Sequence, residues 1–273
     1  MLKERLISGL IGAALFLVII FSDALVLTAA VLLVIEIALW EMYRAVGLGN
    51  KYTLMLLGAI VPVVILFDFM SEDPKKVYMA ICIYLMVLFA VLVMRHEAYK
   101  FEDVTKFFTI TILVSLFFSH VVWIRQEGMS GLWNTFAIFV GAWLTDTCAY
   151  FAGRAFGKHK LAPVISPKKT IEGSIGGILG AALSMVIYGL LVDRFTAFTP
   201  EYRPLIVLGL ACGVVSQLGD LSMSAIKRQY QIKDYGNIMP GHGGVMDRFD
   251  SVLFVAPLVY HFVRVFPIFE VQI

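Results

Sequence analysis

Nine continuous apolar stretches, each close to the length needed to cross a lipid bilayer, constrain this chain more than any other feature. A membrane-spanning helix needs about 20 apolar residues, because backbone polar groups in a bilayer must hydrogen-bond within their own segment. The stretches are continuous rather than alternating, which excludes the strands of a β-barrel. They cover approximately Leu6–Ser22, Ala24–Trp40, Tyr52–Phe69, Val77–Met94, Phe107–Ile124, Thr135–Phe151, Ser174–Leu191, Leu205–Leu221 and Ser251–Phe266.

Composition supports the same fold class. Hydrophobic residues make up 60% of the 273-residue chain, and charged residues only 15%, against roughly 25% charged in soluble domains. A soluble domain cannot hide that much apolar surface, and disordered chains are polar. The net charge of +2 gives no indication of a nucleic-acid partner. We therefore expect an all-α, polytopic integral membrane protein with about nine transmembrane helices.

The basic residues predict the orientation of these helices, since cytoplasmic loops are enriched in Lys and Arg. If connections alternate between the two sides, 16 basic residues share the side of the N-terminus and 6 lie opposite. The N-terminus is therefore expected in the cytoplasm and the C-terminus outside. The larger group comprises Lys3, Arg5, Arg44, Lys51, Arg95, Lys100, Lys106, Arg154, Lys158, Lys160, Lys168, Lys169, Lys227, Arg228, Lys233 and Arg248, and the smaller group comprises Lys75, Lys76, Arg125, Arg194, Arg203 and Arg264.

The chain divides by its polar content. Residues 1–130 hold about five helices with short connections, whereas residues 131–273 include two polar cytoplasmic segments, 153–173 and 227–250.

The first apolar stretch has no small-residue cleavage motif after it, so we expect a retained anchor rather than a signal peptide. Three cysteines lie inside apolar runs without metal-binding spacing, which favours packing roles over disulfides or zinc ligands.

Acidic residues at membrane depth are the first candidates for function. A carboxylate there costs about 2.5–3.5 kcal/mol on insertion scales, so it needs a partner or a function. Glu36, Asp146 and Asp220 lie within apolar stretches, and Glu41 and Asp247 lie near helix ends. For Glu36 and Glu41, a hydrogen bond between helices or a partner Arg is as good an explanation as function. For Asp146, which lies between Thr145 and Thr147, a role as an oxygen ligand explains the buried acid better than a hydrogen bond between helices does.

The segment Ser166–Gly173 predicts a phosphate site. It reads SPKKTIEG, with two adjacent lysines before an apolar helix that Thr170 could cap and Glu172 in the first helical turn. Free N–H groups at a helix N-terminus beside lysines suit a phosphate. For Gly176, Gly177 and Gly180, further along that helix, close helix packing explains the small residues better. The candidate substrate contacts here are Ser166, Lys168, Lys169, Thr170, Glu172 and Gly173.

The strongest constellation runs from Asp220 to Asp250. Lys227 lies two helical turns after Asp220 and therefore on the same face, and Asp247 and Asp250 share a face if the last helix has begun. Carboxylate oxygens suit Mg²⁺ rather than zinc. Metal-binding acids beside cations form the layout that phosphoryl or nucleotidyl transfer requires. The candidate residues are Asp220, Lys227, Arg228, Lys233, His242, Gly243, Gly244, Asp247, Arg248 and Asp250.

The segment Ser224–Asp250 resembles the signature of the phosphatidate cytidylyltransferases, also called CDP-diglyceride synthases. The shared positions run from Ser224 and Lys227-Arg228 through Pro240-Gly241-His242-Gly243-Gly244 to Asp247-Arg248 and Asp250. The Ser166–Gly173 block and the run from Asp146 to Arg154 also look like this family. The resemblance covers about residues 140–255, and the N-terminal half matches only as generic membrane helices.

The resemblance implies transfer of CMP from CTP to phosphatidate, with Mg²⁺ as cofactor, by an enzyme of phospholipid synthesis. The resemblance also implies an enzyme of the bacterial inner (plasma) membrane, in contact with membrane lipids and with its active site facing the cytoplasm. It further implies a homodimer. Asp220 and Asp247 carry over as metal ligands, with Asp250 and Asp146 as additional candidates and a second, monovalent ion left open. Lys227, Arg228 and Arg248 carry over as phosphate contacts. His242 fits either a general base or an orienting hydrogen bond.

A transporter and a related CTP-dependent enzyme are the alternative functions that these residues allow. A transporter would also contain intramembrane acids, but it predicts inverted repeats, and none is visible in the sequence. A CTP-dependent lipid kinase or a CDP-archaeol-type synthase would keep related chemistry and change the reaction or the lipid. The sequence leaves open the acyl-chain preference, the choice between CTP and dCTP, the number of metals and the oligomer interface.

Overall fold

The computed structural model describes residues 2–68, 74–238 and 243–271. Nine α-helices and four short β-strands occur in this part of the chain, so the expectation of an all-α membrane protein is confirmed, apart from two small sheets. The helices are α1 (Leu2–Phe21), α2 (Ala24–Ala45), α3 (Tyr52–Asp68), α4 (Pro74–Met94), α5 (Phe101–Gln126), α6 (Gly131–Phe156), α7 (Ile171–Phe195), α8 (Tyr202–Gln229) and α9 (Met246–Val265). The strands are β1 (Lys160–Ala162), β2 (Ser166–Thr170), β3 (Phe198–Pro200) and β4 (Phe269–Val271).

Six of the described helices are long and apolar enough to cross a membrane: Ala24–Ala45, Lys75–Met94, Phe101–Gln126, Gly131–Phe156, Ile171–Phe195 and Tyr202–Gln229. The apolar parts of α1 and α3 are shorter. Helix α9 carries Asp247, Arg248 and Asp250 in its first two turns and Arg264 in its last, which lowers its hydropathy. The count of nine spans and the cytoplasmic N-terminus therefore stay predictions.

The chain forms two compact units. The first contains Met1–Val122 and Ile232–Arg248, and the second contains Trp123–Gln231 and Phe249–Ile273. The division predicted from sequence, residues 1–130 and 131–273, stays a prediction.

Helix α2 shows how the first unit is built. Its buried residues include Leu27, Val31, Ile35 and Leu39, which recur every four positions and so form one apolar face of a helix. Polar groups of three helices also pair in this unit. The hydroxyls of Tyr43 in α2 and Tyr84 in α4 lie 2.6 and 2.8 Å from Oγ1 of Thr111 in α5. Buried hydroxyls in an apolar setting need such partners.

The second unit depends on close packing of α6, α7 and α8. A methyl group added at Gly177 would lie 2.9 Å from Ala149 Cβ, and one at Gly213 would lie 2.6 Å from Ile178 Cα. Small residues let membrane helices approach in this way, so the packing role expected for the glycines of α7 is confirmed. The three cysteines are free, and Cys212 is buried.

Two polar segments differ from the sequence prediction. Residues 153–173 contain an antiparallel hairpin in which Lys160 pairs with Thr170 and Ala162 with Ser166. Helix α8 continues to Gln229, two turns beyond the apolar stretch predicted to end at Leu221. Hydropathy marks where a helix becomes polar rather than where its backbone hydrogen bonds stop, so the segment after α8 is shorter than the predicted 227–250 loop.

Candidate active site

The second unit brings charged side chains together from four elements, β2, α6, α8 and α9. Lys169 Nζ of β2 contacts Asp220 Oδ2 of α8, and the two side chains are 24% and 25% exposed. Ser224, one turn after Asp220, donates its hydroxyl to Asp220 Oδ1 at 3.2 Å. Asp220 is thereby held on both oxygens, by a cation from the hairpin and by a hydroxyl of its own helix.

Two further carboxylates face this pair from α6 and α9. Ser251 Oγ donates to Asp146 Oδ2 at 2.8 Å, and electrostatic interactions link Asp146 to Asp220 and Lys169. The Asp250 Oδ1 atom accepts a 2.8 Å bond from the Ser251 backbone. The candidate residues Asp146, Asp220 and Asp250 thus belong to one group, hereafter the carboxylate cluster.

The carboxylate cluster is electrostatically coupled. Asp250 lies near the start of α9, outside the candidate spans, and burial together with repulsion from Asp220 and Asp146 raises its pKa to about 7. The positive charge of Lys227 opposes this rise. Lys227 is itself only 9% exposed, and a buried ammonium group needs a compensating negative charge. Three acids thus share a partly dehydrated space with Lys169 and Lys227, an arrangement suited to a further cation.

Magnesium fits the chemistry of these donors. Mg²⁺ usually takes one or two protein carboxylates and completes its shell with water and substrate phosphates. Among residues 2–68, 74–238 and 243–271, no group of three or more His, Cys, Asp or Glu side chains has the arrangement of an all-protein metal site. A divalent cation held by the carboxylate cluster would therefore need water and substrate oxygens to complete its shell.

The β1–β2 hairpin presents the predicted phosphate-binding residues. Thr170 caps α7 by accepting the Gly173 N–H at 3.1 Å, as predicted. Lys168 is exposed, whereas Lys169, its neighbour in β2, turns toward Asp220. Gly173 allows the start of α7 to approach α6 closely, since a methyl group on Gly173 would lie 2.8 Å from Ala149 O.

Two side chains hold the hairpin in place. Glu172 accepts the backbone N–H of Lys158 at 3.0 Å and contacts His159 Nδ1 at 2.6 Å. Arg228 Nε, near the end of α8, donates to Ile165 O at 3.1 Å, between the two strands. Glu172 and Arg228 were predicted as substrate contacts, and the hydrogen bonds observed here are within the protein. Ser166 is half-buried at the start of β2, and substrate contact by these residues stays a prediction.

The first unit holds the remaining part of the signature. Helix α9 has begun by Met246, so Asp247 and Asp250 lie one turn apart on it, as predicted. Asp247 Oδ2 accepts the backbone N–H of Tyr235 at 2.7 Å and of Gly244 at 3.1 Å. Asp220 and Asp247 belong to different units, so their shared metal site stays a prediction.

The other candidates of this segment are placed as follows. Gly243 has a φ of +85°, a backbone conformation that favours glycine. Gly244 is buried, whereas Lys233 and Arg248 are exposed. His242 lies outside the described residues, so both of its predicted roles stay open.

Sequence reasoning did not find the structural roles of three residues of these sites. Ser224 holds Asp220 but was named only as a position of the signature, and Ser251 holds Asp146 but was not singled out. Glu41 was singled out as an acid near a helix end, but its partners are backbone N–H groups of Val245 and Met246. No sequence pattern connects positions so far apart.

Comparison with known proteins adds an independent line of support. A model of the cytidylyltransferase family matches residues 3–266. The phosphatidate cytidylyltransferase of Bacillus subtilis is 35% identical over 273 residues, covering 97% of this chain and 98% of that protein. Proteins of the same name from Staphylococcus epidermidis and Thermotoga maritima are 33% and 32% identical, covering 94% and 77% of this chain and 97% and 76% of their own lengths.

Proposed function

Because this chain belongs to the cytidylyltransferase family, we propose that it transfers CMP from CTP to phosphatidate, giving CDP-diacylglycerol and pyrophosphate. The observation that carries the proposal is the carboxylate cluster with Lys169 and Lys227 beside it. Acids for a divalent cation next to fixed cations for phosphate are what nucleotidyl transfer requires. Bilayer-length helices suit an enzyme whose acceptor is a membrane lipid.

The reaction exchanges one phosphorus–oxygen bond for another. A phosphate oxygen of phosphatidate attacks the α-phosphorus of CTP and forms the new bond, while the bond between that phosphorus and the bridging oxygen to the β-phosphate breaks. The electron pair of the broken bond leaves with pyrophosphate. The attacking oxygen is already anionic, so the step needs no general base.

The carboxylate cluster and the lysines near it each have a part in this proposal. Lys169 and Lys227 neutralise phosphate charge, and Lys168, exposed on the same hairpin, attracts CTP from solution. When bound, Mg²⁺ would shield the triphosphate and the pyrophosphate leaving group. Asp220, with Asp146 or Asp250, would hold it, and Ser224 and Ser251 orient the Asp220 and Asp146 carboxylates. Asp247 and Arg248 stay candidates from the signature.

An assay of the purified protein in detergent tests this proposal. We expect pyrophosphate release that requires CTP, phosphatidate and Mg²⁺ together, with no product from ATP. Asp220→Asn should reduce turnover at least about 100-fold, whereas Asp193→Asn, which alters an exposed acid near the other end of α7, should leave it unchanged. Near-normal activity of Asp220→Asn would refute the site, and lipid phosphorylation by ATP would refute the reaction.

The location of the site is part of the same proposal. The bacterial relatives and the charge bias support the inner membrane, with the hairpin on the cytoplasmic side. In a variant without native cysteines, Lys168→Cys should react with an impermeant thiol reagent only in inside-out vesicles, and Lys75→Cys only in right-side-out vesicles. The reverse labelling would refute the orientation. The homodimer implied by the resemblance predicts twice the 30.4 kDa chain mass in light scattering corrected for detergent.

A further inference from the structure

In the first unit, helix α9 begins without a capping side chain of its own. The first N–H groups of a helix have no partner within the helix, and a Ser, Thr, Asp or Asn just before it usually accepts them. Val245 occupies that place and has no side-chain acceptor. Glu41 of α2 takes over this role: its Oε1 accepts the Val245 N–H at 3.1 Å and its Oε2 accepts the Met246 N–H at 2.9 Å.

The surroundings of Glu41 are shaped around its carboxylate. The residue is 1% exposed, so its charge is satisfied by these hydrogen bonds rather than by water. A methyl group on Gly244 would lie 2.5 Å from each carboxylate oxygen of Glu41, and one on Gly236 would also collide with Oε1. Two glycines of the segment before α9 thus leave the space that the Glu41 carboxylate fills.

Glu41 acts on the segment that carries Asp247. Gly244, Val245 and Met246 supply three successive N–H groups, of which the first bonds to Asp247 and the other two to Glu41. The two carboxylates therefore hold one short stretch of backbone between them. Removing the Glu41 interaction frees two N–H groups and loosens the support of the Asp247 side chain.

We propose that Glu41 is a positioning residue for nucleotidyl transfer: it fixes residues 243–247 so that Asp247 keeps its working orientation, without itself touching substrate. The inference rests on the proposed function, in which Asp247 is a candidate metal ligand carried over from the signature. Charge-assisted hydrogen bonds from backbone N–H groups to a buried carboxylate are strong and directional. Residues that orient a metal or phosphate ligand in this way typically change activity 10–100-fold when replaced.

The test replaces Glu41 with its closest isostere. In Glu41→Gln one oxygen becomes an amide NH₂, which cannot accept an N–H, so one of the two hydrogen bonds is lost. We expect kcat to fall about 10–100-fold, while KM for CTP and the melting temperature stay close to wild type. Glu36→Gln is the matched control, because it removes a half-buried acid five residues earlier on the same helix and should leave kcat unchanged.

A second variant disturbs the same contact from the other side. Gly236→Ala forces a methyl group against the Glu41 carboxylate, and Gly12→Ala is its control because a methyl there meets nothing within 4 Å. Both Glu41→Gln and Gly236→Ala act through one arrangement. Their effects on kcat should therefore not add, and the double variant should resemble the worse single variant.

The outcomes separate this inference from the proposed function. If Asp247→Asn abolishes turnover but Glu41→Gln stays within twofold of wild type, the positioning role is wrong. A kcat loss in Glu41→Gln that only follows a lower melting temperature, or that is fully additive with Gly236→Ala, also overturns it. Near-normal activity of Asp247→Asn would instead refute the catalytic role of Asp247 itself.

Discussion

The contact between Lys169 and Asp220 gives the sharpest test of the carboxylate cluster. The two side chains are about one-quarter exposed, between exposed ion pairs worth about 0–1 kcal/mol and buried pairs whose disruption costs about 3–5 kcal/mol. Lys169→Met removes the ion pair of Asp220 and leaves Asp146, Asp220 and Asp250 with Lys227 as the remaining lysine of this group. We therefore expect unfolding to become easier by about 2 kcal/mol, a fall in melting temperature of roughly 4–8 °C for a chain of this size.

The neighbouring lysine and a charge-removing double variant serve as controls. Lys168→Met alters an exposed residue of the same strand, so it should change the melting temperature by less than about 2 °C, while raising KM for CTP. Lys169→Met combined with Asp220→Asn should recover stability, because no unpaired carboxylate is left at that position, but it should stay inactive. Thermal melting and pyrophosphate release, measured on the same preparations, distinguish these effects. Equal melting temperatures for the wild type, Lys169→Met and Lys168→Met would refute the coupling of the cluster.

Three further predictions concern the framework of the second unit. Thr170→Val removes the cap on Gly173 and should cost about 1 kcal/mol in melting experiments, whereas Thr170→Ser should match wild type; equal stability of both would contradict the capping role. Ser251→Ala removes the hydroxyl that Asp146 accepts at 2.8 Å and should lower kcat more than KM for CTP, as shown by steady-state kinetics; a KM effect alone would place Ser251 in substrate binding. Gly177→Ala places a methyl group 2.9 Å from a side chain of α6 and should destabilise by about 1–3 kcal/mol; unchanged melting would show that α6 and α7 can separate at no cost.

The helices could be predicted from sequence because a bilayer leaves the backbone few alternatives. The polar ends of the helices could not be predicted in this way. Helix α8 runs on to Gln229 and α6 runs to Phe156, since intrahelical hydrogen bonds continue after the apolar residues stop. The β1–β2 hairpin was also missed, because SPKKT has neither apolar alternation nor a typical turn dipeptide to reveal a strand.

The local geometry of the candidate site was predictable where one helix or strand supplies the spacing. Asp220 and Lys227 were placed on one helix face, and Thr170 was expected to cap α7, because both inferences need only local geometry. The contact of Lys169 with Asp220 joins residues 51 positions apart, and no periodicity reports it. Asp146 was suspected from the cost of a buried acid, but its partner Ser251 follows from the packing of α6 and α9 alone.

The hydrogen bonds of Glu41 bear on how the enzyme is made. The family model and the Bacillus subtilis relative cover the N-terminal half as well as the C-terminal half, and the N-terminal half supplies the group that completes a helix start 204 residues later. Contacts of such long sequence separation form late, because the chain must close a large loop first. During synthesis, α2 leaves the ribosome long before α9 is made. A newly made chain therefore passes through a stage in which the Glu41 carboxylate lacks the Val245 and Met246 N–H groups that it accepts in the folded protein. Separately expressed halves should therefore be inactive alone and regain turnover when they meet in the same membrane.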